Sequence, residues 1–139
     1  MNEASWNECL ESGIAMKITP DRLKAKSLVD TSEARIIFLN ENNVSESNAR
    51  FIFENYYTSA IELIHALTLI AGFKVDNHVC LGYYLRDVLK LEMLYRIFDE
   101  CRYRRNSIVY YGKKLEFSIA KESIDKIKRL IAELRKLFK

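Results

Sequence analysis

The chain has 139 residues and a net charge of +3, with 49% hydrophobic residues, 4 glycines and 1 proline. This length suits one compact domain, and so few turn-forming residues favour helices over strands. No apolar run reaches the roughly 18 residues that a membrane-spanning helix needs. Residues 1–6 also lack the basic start and apolar stretch of a signal peptide. We therefore expect one cytoplasmic domain that does not enter a membrane.

The charge is unevenly distributed along the chain. From Arg102 onward there are 12 lysines and arginines against 4 acidic residues, a charge of +8, whereas the residues before Arg102 carry −5. Such a basic segment is typical of a protein that binds a phosphate-rich partner such as RNA, or a second protein with an acidic face. The solvated face of a lysine-rich helix gives the same excess, so both interpretations stay open.

The three cysteines give no sign of a metal site or a disulfide framework. Cys9, Cys80 and Cys101 are odd in number, widely spaced and without a CxxC pair. We expect them to be buried as small apolar residues. We expect neither a metal nor a cofactor.

The first two helices are predicted before residue 42. A short helix around Trp6 and Leu10 belongs to an N-terminal extension, residues 1–18, that packs on the rest of the domain. A longer helix is predicted from Pro20 to Glu41, with Thr19 as its capping residue and proline at its first position.

The next helix is predicted to be the central one. It runs from Ser45, its capping residue, to Ala71, and Gly72 ends it. Apolar and aromatic side chains cover most of its circumference, which is more surface than one small bundle buries. This breadth predicts a homodimer.

Three further helices complete the prediction. A short helix begins at Asp76 or Asn77, an arginine-bearing helix runs from about Lys90 to Tyr110, and an amphipathic helix runs from Ala120 to Phe138. No segment has the alternation of a strand. The fold class is therefore predicted to be all-α, an antiparallel four-helix bundle with a short extra helix, forming a single domain over residues 1–139.

Arg105 is out of place in its own helix. Counting in helical steps puts it in the apolar stripe of Phe98, Cys101 and Ile108. A charge in such a stripe indicates a buried carboxylate, a subunit interface or an anionic ligand. The alternative is an arginine that extends past the stripe with its head in water.

A carboxylate for Arg105 is expected on the central helix. Glu62 is the first candidate because it falls between Ile61 and Leu63, and Glu54 is the second. Exposure of Glu62 on the polar edge of the helix is the competing interpretation.

The arginine segment also resembles a known family. Arg105-Asn106, followed after three residues by Tyr110 and then by a basic final helix, is similar to the signature of HEPN domains, small helical bundles of eukaryotes and prokaryotes. Segments 57–66, 72–74 and 77–85 are similar to the second helix and following turn of archaeal and bacterial members. The resemblance covers most of the chain from about Pro20 to its end.

The resemblance implies a four-helix up-and-down bundle and a homodimer in which the Arg-Asn segments of both subunits face one cleft. Many HEPN proteins are metal-independent ribonucleases, often toxins paired with a nucleotidyltransferase antitoxin. Arg105 and Asn106 match the family motif, and Tyr110 stands where its histidine belongs. These three residues are the candidate catalytic set.

The tyrosine changes the expected chemistry. Cleavage of RNA without a metal needs a base for the 2′-hydroxyl, an acid for the leaving 5′-oxygen and a cation for the phosphorus-bound oxygens. Histidine, with a pKa near 6.5, serves as base, but tyrosine, with a pKa of about 10, is a poor one at neutral pH. We expect the binding cleft to persist and ribonuclease activity to be weakened. His65 and His78 are possible substitutes, although His65 suits a hydrogen-bonded core residue and His78 a helix cap.

Further residues near the motif are candidates for binding nucleic acid or a nucleotide. Arg102 and Arg104 can hold phosphates, while Tyr103 and Tyr111 can stack on bases. Packing of these tyrosines in the core is the alternative. In some relatives the partner transferase attaches a nucleotide to a tyrosine near the motif, at a position held here by Gly112.

Two functions therefore compete at the level of sequence. The first is a HEPN-like homodimer that binds RNA or a nucleotide at a composite arginine cleft and works with a nucleotidyltransferase in a system of the toxin-antitoxin type. The second is a catalytically silent helical module that binds another protein.

Overall fold

The structure is a computed structural model that describes residues 4–112 and 114–138. The chain is mostly helical, as predicted. In chain order the elements are α1 (Trp6–Glu11), β1 (Ala15–Lys17), α2 (Arg22–Asn40), α3 (Ala49–Ala71), β2 (Phe73–Val75), α4 (His78–Tyr83), a π-helical turn (Tyr84–Val88), α5 (Glu92–Tyr111) and α6 (Phe117–Arg135). No helix in these residues combines the length and hydropathy needed to span a membrane.

Helices α2 and α3 begin later than predicted. Asp21, and not Thr19, caps α2, because its carboxylate accepts a hydrogen bond from the Lys24 amide at 3.0 Å. The segment before Asp21 is hydrogen-bonded to the end of α3, since the Ile18 amide donates to the Gly72 carbonyl at 2.8 Å. Ser45 likewise caps no helix, because its amide donates to the side chain of Asn48 in a turn that precedes α3.

Helix α3 is central, as predicted. It packs against α2, α5 and α6, and Phe53, Tyr57 and Leu63 on it are almost completely buried. The breadth of its apolar surface is therefore explained by the chain's own helices. It gives no reason for a dimer, which stays a prediction from the family resemblance, as does the up-and-down order of the bundle.

A two-stranded antiparallel sheet was not predicted. β1 pairs with β2 in the register Ala15 with Val75 and Lys17 with Phe73. Each strand has three residues, too few for an alternating pattern to be visible in sequence. Gly72 makes the turn from α3 into β2 with a φ of 89°, and a Cβ there would lie 2.9 Å from the Ile18 carbonyl oxygen.

The prediction that all three cysteines are unpaired was wrong. Cys9 in α1 forms a disulfide with Cys80 in α4, because the β1–β2 sheet brings these distant segments together. Trp6 of α1 packs edge-on against Phe73 at a ring separation of 5.3 Å, which fixes the same junction. Cys101 is a buried free thiol, as expected, and burial raises its pKa to about 12.

Helices α5 and α6 lie where the sequence placed them, within a few residues. The predicted stripe of α6 is buried, including Ile124, Ile127 and Leu134, and Phe138 follows the helix instead of ending it. Helix α5 contacts α3, α4 and α6. Its C-terminal half consequently lies beside the start of α4, and this junction holds the candidate site.

Candidate functional site

A cleft of about 320 Å³ opens between the C-terminal half of α5 and the start of α4. We call it the arginine cleft. Its lining residues are Asp76, Asn77, His78 and Val79 on one side and Arg102, Arg105, Asn106 and Tyr110 on the other. The three residues of the sequence motif thus share one cavity.

Arg105 is half-buried in this cleft and has no carboxylate partner in the part of the chain that the structure describes. Its guanidinium donates hydrogen bonds of 3.4 Å to the Asn106 side chain and to the Tyr110 hydroxyl, both long enough to be weak. The group also lies over the rings of Tyr57 and Tyr110, at 5.6 Å and 5.5 Å. Among the described residues no acid lies within ion-pair distance of it. Within the described part of the chain, its guanidinium therefore contacts neutral groups alone.

The two neighbouring arginines are paired. Arg102 lines the cleft while its guanidinium contacts Asp99 at 3.0 Å. Arg104 turns away towards α6, where it donates to the Ser123 hydroxyl at 2.7 Å and pairs with Glu100 at 3.1 Å. Arg104, predicted to contribute to the binding site, therefore lies outside the lining of the cleft, because one helical step rotates it about 100° away from Arg105.

Neither predicted carboxylate reaches Arg105. Glu62 forms a two-point ion pair with Arg35 of α2, with contacts of 3.3 Å and 2.9 Å. Its side chain is 13% exposed and that of Arg35 is 27% exposed, so the pair is largely shielded from water. Glu54 makes no ion pair within the described residues. Glu62 faces α2, whereas Tyr57 on the same helix faces α5.

Tyr57 contacts both sides of the arginine cleft, Arg105 on one side and His78 on the other. Its ring is buried and stacks on Phe98 at 5.9 Å, and its hydroxyl lies 3.1 Å from Nδ1 of His78. Burial raises the pKa of Tyr57 well above its usual value, although Arg105 opposes the shift. The phenol therefore keeps its proton and holds the imidazole in place.

His78 is the imidazole of the arginine cleft. Burial, followed by the charges of Arg105, His65 and Arg102, lowers its pKa to about 4, so the ring is neutral at pH 7. The expectation that His78 caps a helix was wrong, because Asn77 caps α4 by accepting from the Cys80 amide at 2.8 Å.

His65 lies outside the lining of the cleft. Burial and Lys24 lower its pKa, and Asp76 raises it. Its imidazole makes no hydrogen bond to a described residue, so the expected hydrogen-bonded core position is not observed.

Three tyrosines in the C-terminal half of α5 lie at the surface instead of in the core. Tyr103, Tyr110 and Tyr111 are 71%, 67% and 73% exposed. A second hollow of about 510 Å³ adjoins the arginine cleft, and we call it the tyrosine hollow. Its lining residues are Arg102, Tyr103, Asn106, Ser107 and Tyr111. Because Arg102 and Asn106 line both cavities, the two form one continuous polar and aromatic surface.

The chemistry available at this surface is that of anion binding with one neutral imidazole. Arg102 and Arg105 offer charged donors, Asn106 an amide, Tyr110 a hydroxyl, and His78 a ring nitrogen. Within residues 4–112 and 114–138, no group of three or more His, Cys, Asp or Glu side chains is placed to hold a metal ion.

Comparison of the chain with protein-family models, with curated proteins and with solved structures found no match. Function is therefore inferred from the geometry of the arginine cleft. Sequence reasoning missed the pairing of Tyr57 with His78. Tyr57 and His78 lie in the segments 57–66 and 77–85, whose shared resemblance to one family is the available signal that they belong together.

Proposed function

We propose that this protein is a HEPN-like protein that binds RNA or a nucleotide through a phosphate group in the arginine cleft. The observation that carries the proposal is Arg105, a half-buried guanidinium with no carboxylate partner among the described residues. The long contacts to Asn106 and Tyr110 leave its donors free to bind a stronger acceptor.

A phosphate group fits the requirements of this position. A partly desolvated cation gains most from an anion that accepts two parallel hydrogen bonds, and phosphate oxygens match the guanidinium in this way. Arg102 brings a second positive charge to the cleft, although Asp99 offsets part of it. Asn106 can donate its amide to a further oxygen.

The tyrosine hollow favours a nucleic acid or nucleotide over a simple anion. Tyr103 and Tyr111 present exposed rings next to Arg102. Bases stack on such rings while arginines hold the backbone phosphates. The basic C-terminal third of the chain adds long-range attraction for a polyanion.

The proposal includes a homodimer that brings two arginine clefts together, a nucleotidyltransferase partner and a role of the toxin-antitoxin type. Exposed Val109, Tyr110 and Tyr111 near the end of α5 support an interface at this end of the helix. We place the protein in the cytoplasm, where RNA and nucleotides occur. Ribonuclease activity is expected to be weak because a tyrosine replaces the motif histidine.

The alternative is a silent module that binds a protein. It is supported by apolar residues exposed away from the cleft, namely Leu23, Ile37 and Phe38 on α2. In that case Arg105 has a structural role through its contacts with Tyr57 and Tyr110.

Fluorescence anisotropy with labelled single-stranded RNA, at physiological salt and with chelator, tests the proposal. Arg105→Ala is expected to weaken binding by about 10- to 100-fold, the effect of losing hydrogen bonds to a charged group. Arg96→Ala is the matched control, because Arg96 lies on the same helix and pairs with exposed Glu92, its one ion-pair partner among the described residues. Unchanged affinity in Arg105→Ala, or no binding by the wild type, contradicts the proposal; a loss of stability in Arg105→Ala without a loss of binding supports the silent module.

A further inference from the structure

We propose that His78 is a phosphate ligand of the arginine cleft and that its imidazole takes up a proton when the anion binds. The inference rests on the proposed function and assigns a regulatory property, pH-dependent affinity, to the same site. His78 faces Arg102 and Arg105 from the opposite side of the cleft.

The hydrogen bond to Tyr57 determines which ring nitrogen is available. Nδ1 of His78 contacts the Tyr57 hydroxyl at 3.1 Å, and Nε2 makes no hydrogen bond to a described residue. Stacking on Phe98 fixes the Tyr57 ring and so limits rotation of the imidazole. A phosphate oxygen held by the arginines can therefore be met by Nε2.

The same hydrogen bond is compatible with either charge state of the ring. A hydroxyl can donate and accept, so Tyr57 donates to Nδ1 of the neutral imidazole and accepts from Nδ1–H of the imidazolium. Protonation of His78 reverses this bond without breaking it. The proton on Nε2 then points to the ligand as a charged donor.

The positive charges around His78 oppose its protonation, and a bound anion would weaken this opposition. Three elements bring groups close to His78. Helix α5 contributes Arg102, Arg105 and Tyr110. Helix α3 contributes Tyr57 and the charge of His65, and the segment before α4 contributes Asp76. Burial, and after it the charges of Arg105, His65 and Arg102, holds the pKa of His78 at about 4. A bound phosphate offsets the arginine charges and attracts the imidazolium directly, so the pKa of His78 rises while the lowering by burial remains.

The sign of the pH dependence follows from this rise. The complex binds more protons than the free protein between the two pKa values, so affinity increases as the pH falls through that interval and is constant above it. If the pKa in the complex returns to about 6.5, the ordinary value for histidine, the affinity at pH 5 is about 30-fold higher than at pH 7.5.

Isothermal titration calorimetry with a short oligouridylate measures both the affinity and the number of protons taken up on binding. Uracil and the phosphodiester do not titrate in this range, so any proton taken up from the buffer on binding is bound by the protein. Titrations at pH 5.5 in two buffers of different ionisation enthalpy are expected to show uptake of most of one proton by the wild type and almost none by His78→Gln. His65→Gln is the control, because His65 lies outside the lining of the cleft, and it is expected to retain the uptake.

A second arm identifies the source of the phosphate group. Uridine monophosphate is titrated at pH 7.5 beside the oligomer, with wild type and Arg105→Ala. Arg105-dependent binding of the oligomer alone supports an RNA ligand, and equal affinity for the mononucleotide supports a single nucleotide; both support a phosphate ligand.

Nuclear magnetic resonance of the wild-type imidazoles keeps the test independent of how well His78→Gln folds. The chain has 2 histidines, so His65→Gln assigns both signals. The midpoint of the His78 titration is expected near pH 4 without ligand and above about pH 6 with saturating oligouridylate.

The outcomes separate the two proposals. Absence of oligouridylate binding, or binding that Arg105→Ala leaves unchanged, overturns the proposed function and the role of His78 with it. Binding that depends on Arg105 but shows no proton uptake, with an unchanged His78 midpoint, overturns the role of His78 alone.

Discussion

At the scale of single residues, the site depends on which arginine has a carboxylate in reach. Arg35, Arg102 and Arg104 each pair with an acid, and such pairs fix side chains without leaving charge for a ligand. Arg105 contacts only neutral groups among the described residues. Tyr57 adds a second constraint, because it lies beneath Arg105 and also holds His78. The cleft thus combines an unpaired cation with an oriented imidazole.

The Arg35–Glu62 pair is predicted to stabilise the fold without affecting the site. Glu62→Gln leaves the shielded guanidinium of Arg35 without its carboxylate, so we expect a loss of roughly 1–3 kcal/mol in the free energy of unfolding by urea. RNA affinity is expected to stay unchanged. Lys26→Ala, which breaks the exposed Lys26–Asp30 pair, is the control and should cost less than about 0.5 kcal/mol. A loss of RNA binding in Glu62→Gln at full stability would show that this pair is coupled to the arginine cleft.

Tyr110→His is predicted to gain ribonuclease activity. The substitution restores the family motif next to Arg105, with a side chain whose pKa near 6.5 suits a general base. We expect cleavage of labelled RNA in chelator to rise by about 100-fold or more, the usual contribution of a positioned base. The double variant with Arg105→Ala should lose the gain. RNA binding without increased cleavage in Tyr110→His would show that more than the base is missing.

At the scale of elements, the start of α4 is held by the N-terminal segment. The sheet pairs β1 with β2, Cys9 is bonded to Cys80, and the Trp6 amide donates to the Asp87 carboxylate at 2.8 Å. His78 lies two residues from the disulfide. Residues 4–17 therefore serve to position one wall of the arginine cleft, which is a more specific role than that of a packed extension.

The disulfide is predicted to stabilise the protein by about 2–4 kcal/mol, because it closes a long loop in the unfolded chain. The urea midpoint of the wild type should fall on addition of dithiothreitol. Cys9→Ser should unfold at the lower urea midpoint without dithiothreitol, and adding dithiothreitol should not change that midpoint. A wild-type midpoint that does not move, although thiol titration shows the cysteines reduced, would contradict a stabilising bond.

Gly72→Ala is predicted to cost more stability than Gly13→Ala, although both glycines have φ values above 80°. Alanine at such an angle costs about 1 kcal/mol in either case. At position 72 the new Cβ also meets the Ile18 carbonyl at 2.9 Å, whereas nothing lies within 4 Å at position 13. We expect a total of about 2 kcal/mol or more for Gly72→Ala, measured by thermal unfolding. An equal loss of stability in the two variants would mean that the backbone near Ile18 shifts to accommodate the new Cβ.

At the scale of the whole molecule, the sequence predicts what depends on local periodicity. The stripe of α6 and the breadth of α3 repeat within one helix, and both are observed. The Cys9–Cys80 bond and the Tyr57–His78 contact join segments far apart in the chain, and no pattern within a segment specifies them. Glu62 shows a third limit of prediction from sequence. The partner of its side chain depends on which helix packs against each face of α3, and the sequence of α3 alone does not specify that packing.

The association of two copies is the remaining prediction at this scale. Since α3 is covered by the chain's own helices, an interface must use surface that one copy leaves exposed, and the end of α5 offers Val109, Tyr110 and Tyr111. Sedimentation velocity is expected to show a dimer. Val109→Asp should convert it to a monomer by placing a charge in an apolar contact, while Phe38→Asp on α2 should leave it dimeric. A wild-type monomer that still binds RNA would remove the dimer from the proposal and confine the arginine cleft to a single chain.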